Sequence, residues 1–173
     1  MDGNERALVG VIMGSDNDIG VMRQAVSTLK EFKVPYEVLI CSAHRSPDRA
    51  SLYAASAHER GLRVIICGAG MAAHLAGAIA ALTILPVIAV PLSSSPLAGL
   101  DALLSSVQMP PGVPVATTAI NGARNAAVLA VQILALWDPD LTESLKAFKG
   151  KMAEDIDEKN KNLTALLEGP AKK

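Results

Sequence analysis

His44 and Arg45 are adjacent residues with a clear capacity for chemistry. They follow an apolar, strand-like run at 36–41, and they precede Pro47, which interrupts helices. An imidazole exchanges a proton near neutral pH, and a guanidinium presents a planar fork of donors to phosphate or carboxylate. The pair could therefore combine proton transfer with anion binding. Two structural alternatives stay open: His44 as an ordinary loop histidine, and Arg45 in an ion pair with Asp48 or another acid.

Three other strand-like runs also end in small and polar residues. In an open sheet of parallel strands, ligands bind beyond the carboxyl ends of the strands, so these residues are candidates for one shared pocket. They are Gly14, Ser15, Asp16, Asn17 and Asp18 after the first run, Ser42, His44 and Arg45 after the second, Gly68, Ala69, Gly70 and His74 after the third, and Pro91–Ser95 after the fourth.

The first of these loops combines a turn residue with two carboxylates. Gly14 allows a sharp turn, and Ser15 together with the free N–H groups of the following helix can hold an oxyanion. Asp16 and Asp18 repel phosphate, so they suit ribose hydroxyls or an exocyclic amine better. The spacing also allows Asp18 to be a simple helix N-cap.

The third loop is made of small residues and contains a histidine nearby. Gly68-Ala69-Gly70 is typical of a loop that lets a ligand approach the backbone closely. His74 lies among alanines and is either a satisfied core histidine or a second polar wall of the pocket. We expect the remaining histidine, His58, on the solvated surface of a helix.

Strand-like and helical patterns alternate along the chain. Apolar runs predict strands at 8–13, 36–41, 63–67, 86–90 and 113–119, and apolar spacing predicts helices at 18–32, 48–60, 72–83, 97–107 and 121–137. Such alternation predicts a parallel sheet covered by helices on both faces. The glycine turn after the first strand favours a three-layer α/β/α sandwich with a flavodoxin-like sheet.

The sequence DPD at 138–140 ends the predicted catalytic domain, which we place at 1–138. Residues 139–173 form a predicted helical tail, packed on the domain or on a neighbouring subunit, with 169–173 loose. The apolar residues that recur there at helical spacing are Leu145, Phe148, Met152, Ile156 and Leu163.

Composition narrows the class of protein. The net charge is −1 over 173 residues, so the chain lacks the excess of basic residues typical of nucleic-acid binding. Aromatic residues make up 3%, too few for base stacking. Nucleic acid is therefore not an expected partner. Cys41 and Cys67 lie in or beside apolar runs, which indicates a reducing compartment. The N-terminus lacks the long apolar core of a signal peptide. We therefore expect a cytoplasmic protein.

The long segment 64–100 contains no Asp, Glu, Lys or Arg. Residues 71–92 alone are long enough to cross a bilayer. However, Pro86 divides them into an alanine-rich half and a short β-branched half, and His74 would be poorly placed in lipid. The segment therefore predicts a buried helix followed by a strand, with no membrane partner.

Several familiar site motifs are absent from the sequence. It contains no GxxxxGK[ST] phosphate loop, no GxSxG nucleophile elbow and no GxGxxG after the first strand. The histidines lack HxxxH or CxxC companions, and DNDIG lacks the later ligands of a calcium loop. The residues predict a small, metal-free pocket for an anionic, hydroxyl-bearing molecule.

Four motifs taken together resemble one enzyme family, the class I N5-carboxyaminoimidazole ribonucleotide mutases of purine biosynthesis. They are MGSDND at 13–18, SAHRSP at 42–47, GAGMAAHLAG at 68–77 and DALLSSVQMPPGVPVAT at 101–117, in the family's order. The resemblance extends from about Val9 to Leu136. Family members usually carry glycine at the position of Met71 and proline at that of Ala76.

The resemblance implies a decarboxylation and recarboxylation that needs neither a cofactor nor a metal. A carboxyl group moves from the exocyclic amine of an aminoimidazole ribonucleotide to the neighbouring ring carbon. By the family pattern His44 is the general acid and base. Ser15, Asp18 and Arg45 match substrate-binding positions, and Asp16, Ser42, Gly70 and His74 match positions that line the same pocket.

A homo-oligomer is predicted independently of the resemblance. Two predicted helices, 72–85 and 121–137, are apolar on most sides, more than one sheet face can cover. The resemblance implies that the oligomer is an octamer.

Two other functions stay open. The class II relatives, which carboxylate the free ribonucleotide with CO₂, usually read SAHK, so Arg45 favours class I. The second alternative is a flavodoxin-like nucleotide-binding module without catalysis, and the presence of His44 argues against it.

Overall fold

Five parallel strands form one sheet in the order β2-β1-β3-β4-β5. The computed structural model describes residues 6–163 and Leu167. The strands are β1 (Val9–Met13), β2 (Tyr36–Ile40), β3 (Val64–Gly70), β4 (Val87–Leu92) and β5 (Ala116–Thr117). The helices are α1 (Ile19–Glu31), α2 (Pro47–Ala57), α3 (Leu75–Ala80), α4 (Leu100–Val107), α5 (Ala123–Leu134) and α6 (Pro139–Lys161). The predicted α/β class with a flavodoxin-like sheet is confirmed, because this strand order is the flavodoxin order.

Helices cover both faces of the central strands. Every residue of β1 and β4 is buried, which explains why these runs are continuously apolar in sequence and do not alternate. Helices α1 and α5 pack against each other, and α2 packs against α3. One core cluster joins Ile12, Ile65 and Ala89 of the sheet to Tyr53 of α2 and Ile79 of α3.

The third and fourth strands are longer than the sequence predicts. Gly68, Ala69 and Gly70 were expected in a loop, but they continue β3 and pair with Val90, Pro91 and Leu92 of β4. The expectation of a loop was wrong because small residues in a strand look like a turn in sequence. Their small size is required by packing, because a Cβ on Gly68 would collide with the buried side chain of Met22.

The third helix and the fifth strand are shorter than predicted. Met71 has a positive φ of 56°, and the chain turns through Ala72 and Ala73 before α3 begins at Leu75. Only Ala116 and Thr117 of the predicted fifth strand pair with β4. Pro114 interrupts that run, and a proline cannot donate to a strand ladder.

The chain divides into two compact units, residues 1–134 and residues 135–173. In the second unit, α6 occupies the first 23 residues of the predicted tail, and the Asp138 carboxylate caps this helix by accepting from the N–H groups of Asp140 at 3.0 Å and Leu141 at 3.1 Å. The boundary at 138 and the packing of the tail stay predictions. The loose segment predicted at 169–173 lies outside the described residues.

Among the described helices, none combines the length and the apolar character needed to cross a membrane. The segment 64–100 forms β3, α3 and β4 and enters α4.

Candidate active site

A cleft of about 580 Å³ lies at the carboxyl ends of β1, β2, β3 and β4. This is the edge where ligands bind in open α/β sheets. The residues that line the cleft are Gly14, Ser15, Asn17, Asp18, Ser42, Ala43, His44, Arg45, Ala69, Gly70, Met71, Ala72, Leu75 and Ser94. Loops that follow different strands therefore converge on one space, as the sequence predicts.

The first loop is held by a capping box between Ser15 and Asp18. The Ser15 N–H donates to Asp18 Oδ2 at 2.9 Å, and the Ser15 hydroxyl accepts from the N–H of Asn17 at 3.3 Å. Asp18 precedes α1, but its side chain makes no cap hydrogen bond to that helix. The simple N-cap role considered for Asp18 therefore does not describe its side chain, which turns back toward the loop.

The two carboxylates of this loop have opposite electrostatic environments. Asp18 is only 7% exposed, and burial raises its pKa against the hydrogen bonds from Ser15 and Gly14 and the charge of Arg45. Asp16 is exposed, and the hydrogen bond from the Ser15 hydroxyl, 2.9 Å long, is the main cause that lowers its pKa. The fold thus keeps a buried carboxylate at the cleft at an energetic cost.

The second loop is tied to the first by Arg45. Its guanidinium donates to the carbonyl oxygen of Gly14 at 2.9 Å, and the backbone N–H of Arg45 donates to the Ser42 hydroxyl at 3.2 Å. Arg45 forms no ion pair with Asp48 or with any other described acid, so that alternative is not observed. The guanidinium keeps further N–H donors, which leaves it able to bind an anion.

His44 and His74 lie in direct contact. Nε2 of His44 is 2.9 Å from Nδ1 of His74, and the two rings meet edge to face with their centroids 5.0 Å apart. His44 lines the cleft, whereas His74 and Asp16 are not among its lining residues. His74 is exposed, so it is not a core histidine. His58 is exposed on the surface, as predicted.

Two polar lining residues, Ser94 and Asn17, were expected at this edge only as members of their loops and were assigned no role of their own. Ser94 belongs to the loop after β4, which was named only as part of the edge. A signal for it was present in Gly70, since a Cβ on Gly70 would collide with the Ser94 hydroxyl. Gly70 therefore lets the fourth loop close against β3 and bring a hydroxyl to the cleft.

Asn121 fixes the start of that fourth loop. Its side-chain amide accepts from the Ser93 N–H at 3.1 Å and donates to the Ser93 hydroxyl at 2.7 Å, and its own N–H donates to the Pro91 carbonyl at 2.8 Å. Asn121 has a φ of 59°, a conformation that asparagine tolerates better than most residues. Ser94 is thus carried on a loop that a side-chain clasp holds in place.

Met71 is the bulky residue at the mouth of the cleft. Its positive φ favours glycine, which fits the glycine expected there from the resemblance. Its side chain is 59% exposed. A methionine is therefore accommodated in a backbone shape that suits a residue without a side chain.

No group of three or more His, Cys, Asp or Glu side chains that could hold a metal ion occurs within the part of the chain that the structure describes. The two acids of the first loop are Asp18, which lines the cleft, and Asp16, which does not, and both accept from N–H or hydroxyl groups of their own loop.

Comparison with known proteins identifies the family. The family model described as AIR carboxylase matches residues 8–155. The chain belongs to the AIR carboxylase family. The N5-carboxyaminoimidazole ribonucleotide mutase of Pyrococcus horikoshii is 56% identical over 163 residues, 94% of this chain and 92% of that protein. The mutase of the same name from Thermotoga maritima is 54% identical over 158 residues, 91% of this chain and 92% of that protein.

The fold comparison agrees with the family. The crystal structure of Treponema denticola PurE superposes with a TM-score of 0.82 at 32% identity, covering 91% of this chain and 99% of that chain. The resemblance predicted from the four motifs is therefore confirmed. The AIR carboxylase match also covers every residue predicted for the site, from Ser15 to His74.

We predict that Asp18→Asn is at least as stable as the wild type at about pH 7. The pKa of Asp18 is raised in the folded protein above its ordinary value of 3.8. At a pH above the raised pKa, the ionised carboxylate therefore lowers the free energy of unfolding. This loss of stability disappears as pH falls through the raised pKa toward 3.8. The difference between variant and wild type should therefore shrink toward about pH 4. Thermal unfolding followed by circular dichroism at both pH values measures it.

The matched control for this prediction is Asp16→Asn. The pKa of Asp16 is lowered in the folded protein, so its ionised form adds stability above 3.8 that is lost as pH falls through the lowered pKa, and the variant should gain no stability at neutral pH. A clear drop in the melting temperature of Asp18→Asn at neutral pH would mean that the hydrogen bonds to its carboxylate outweigh the burial.

Proposed function

We propose that this chain converts N5-carboxyaminoimidazole ribonucleotide into 4-carboxy-5-aminoimidazole ribonucleotide, the reaction implied by the mutases that it resembles. The observation that carries the proposal is the placement of His44 and Arg45 in one cleft with Ser15 and Asp18. A proton carrier and an anion-binding guanidinium thereby face the same space. Carboxyl transfer on a phosphorylated heterocycle needs the first group for proton transfer and the second for phosphate binding.

The proposed reaction begins with His44 carrying a proton. His44 gives that proton to the exocyclic nitrogen as the N–C bond to the carboxyl group breaks and CO₂ is released in the cleft. The electron-rich ring carbon then forms a bond to the trapped CO₂. This carbon now bears both hydrogen and carboxylate, and neutral His44 removes the hydrogen as a proton, which restores aromaticity. His44 ends in its starting state, so protons and electrons balance.

The other predicted residues are assigned to binding. Arg45 anchors the substrate phosphate with the donors that Gly14 does not occupy. Ser15 adds its hydroxyl, which turns from Asp16 to the phosphate when substrate binds. The Asp18 carboxylate suits a ribose hydroxyl or the exocyclic amine. Ser42 and Gly70 line the cleft, while Asp16 bonds Ser15 and Asn17 from outside it. His74 approaches the substrate through His44. The proposed reaction uses no cofactor and no metal.

We predict that His44→Asn folds and binds substrate but loses turnover. Asparagine keeps the size and some hydrogen bonding of the imidazole but cannot carry a proton, so turnover should fall by at least about 10²–10⁴-fold. Turnover of the carboxyamine isomer and ligand binding should be measured on the same preparation. His58→Asn, which removes an exposed histidine of the surface, is the matched control and should stay fully active.

Two outcomes contradict this assignment. Should His44→Asn keep more than about a tenth of wild-type turnover, a loss short of that range, His44 is not the proton carrier. If the wild type consumes the unmodified ribonucleotide with bicarbonate but not the carboxyamine isomer, the chain is a carboxylase of the class II type.

We predict that Arg45→Lys raises the KM by about tenfold or more, because lysine keeps the charge but loses the fork, and a hydrogen bond to a charged group contributes about 1.5–3 kcal/mol. Lysine cannot serve the Gly14 carbonyl and a phosphate oxygen with the same geometry. Steady-state kinetics on the carboxyamine isomer measure the effect. Arg49→Lys, an exposed arginine of α2, is the control, and an equal KM in both variants would remove Arg45 from the binding site.

We further propose that the protein is a homo-oligomer, with the octamer implied by the resemblance. Most apolar residues of α5 are buried within their own unit. Exposed apolar side chains remain at the ends of the two predicted segments, at Ile84 and Trp137. A further group lies on α4 and the segment before it, where Leu97, Leu100, Leu104 and Val107 are between 49% and 62% exposed. The spacing of four and three residues places Leu100, Leu104 and Val107 on one face of α4, which suits burial against another subunit.

We predict that Leu104→Glu lowers the molar mass of the assembly, because a carboxylate in an apolar contact is desolvated without a partner. Light scattering coupled to size exclusion at micromolar concentration measures the mass. Leu52→Glu, on α2 and outside this stripe, is the control. A wild-type protein that is a stable monomer, or an equal effect of both substitutions, contradicts the assignment of α4 as an interface.

A cytoplasmic location completes the proposal. Cys41 and Cys67 are both buried and free, and burial raises the pKa of the Cys67 thiol. Free thiols are typical of proteins in a reducing compartment. The proposed substrate is also a phosphorylated metabolite, which does not cross membranes freely.

A further inference from the structure

Among the described residues, His74 is the one hydrogen-bond partner of the His44 ring. The bond joins Nε2 of His44 to Nδ1 of His74 at 2.9 Å, across thirty residues of sequence. His44 lines the cleft, but His74 does not. His74 is therefore placed to act on the reacting atoms through His44 alone.

The backbone of His74 is held by hydrogen bonds, whereas the His44 side chain is exposed in a turn. The His74 N–H donates to the Ala72 carbonyl at 2.8 Å, and the His74 carbonyl accepts from the Ala78 N–H at 2.9 Å at the start of α3. His44 lies in the turn after β2 and is exposed. The contact with His74 is what restrains the orientation of the His44 ring, since little packing surrounds it.

Only one donor assignment suits both protonation states of His44. A His44 ring that carries the extra proton has an N–H at both nitrogens and needs an acceptor at Nε2. The acceptor must be the Nδ1 lone pair of a neutral His74 whose own proton is on Nε2. When His44 has given up its Nδ1 proton, the same bond from Nε2–H to His74 persists. If His74 Nδ1–H were the donor and His44 Nε2 the acceptor, this hydrogen bond would have to break in every catalytic cycle.

We propose that His74 is a positioning residue, which accepts the Nε2–H of His44 and thereby leaves Nδ1 of His44 as the nitrogen that exchanges the proton with substrate. The inference rests on the proposed role of His44 as the proton carrier. It departs from the expectation that His74 touches the substrate. No charge or covalent bond moves to His74.

Two substitutions separate this role from substrate binding. His74→Leu removes the acceptor, so kcat should fall about 10–100-fold, the usual effect of losing a partner that orients a reacting group. The KM should change less than about twofold, because in this proposal His74 does not contact the substrate. His74→Asn keeps an oxygen acceptor near the position of Nδ1 and should hold kcat within about threefold of wild type.

A spectroscopic signature tests the bond without reference to turnover. The chain contains three histidines. Protein labelled with ¹⁵N-histidine and carrying His58→Asn therefore gives ring signals from His44 and His74 alone. At a pH well above neutral, nitrogen shifts should report His44 with its proton on Nε2. In His74→Leu the His44 ring should become a mixture of tautomers, and in His74→Asn it should keep the Nε2–H form.

Each contrary result overturns the proposal. If the His44 ring of the wild type is already a mixture of tautomers, the proposed bond to His74 does not exist. This result needs no variant, so it decides the proposal even if His74→Leu fails to fold. A raised KM with unchanged kcat in His74→Leu makes His74 a substrate contact. Equal losses of kcat in the leucine and asparagine variants remove the acceptor role. By contrast, an active His44→Asn refutes the proton carrier itself, while the nitrogen shifts still decide whether the His44–His74 bond exists.

Discussion

The backbone of Gly14 links three of the four strand ends that meet at the cleft. Its N–H donates to the carbonyl of Gly68 at 3.1 Å, and its carbonyl accepts from the Arg45 guanidinium at 2.9 Å. Met13 lies opposite both Ile40 and Gly68, so that β1 and β2 end at one level while β3 continues to Gly70. Since a slip of one residue reverses the face of every side chain, the register of β1 determines which groups reach the cleft.

Charge in the cleft is arranged around the Arg45 cation, which forms an ion pair with no acid in the part of the chain that the structure describes. Arg45 lowers the pKa of both Asp16 and Asp18, although it is not the largest influence on either. For Asp18 burial outweighs this attraction, and for Asp16 the local hydrogen bonds dominate. A cation shared weakly between two acids keeps much of its positive potential for a ligand, whereas a tight ion pair would neutralise it.

The sequence was sufficient for the class of fold, a flavodoxin-like parallel sheet covered by helices, and for most of the cleft. Continuous apolar runs identified β1, β3 and β4, and His44, Arg45, Ser15 and Asp18 could be placed at strand ends without knowing their contacts. The contact between His44 and His74 could not be predicted, since it depends on the rotamers of two exposed rings. Ser94 was missed for a related reason: serine is common in loops, and only the geometry of Gly70 distinguishes it.

Gly68 has a consequence for the engineering of this fold. The space above this residue is filled by Met22, which projects from α1 into β3 and is fully buried. Two residues further along the same strand, Gly70 makes room for the loop that brings Ser94 to the cleft. Changes of volume at Met22 therefore act on a strand that also forms a wall of the cleft. A mutant library that varies the hydrophobic core for thermal tolerance will select on catalysis as well, and the two traits will not evolve independently.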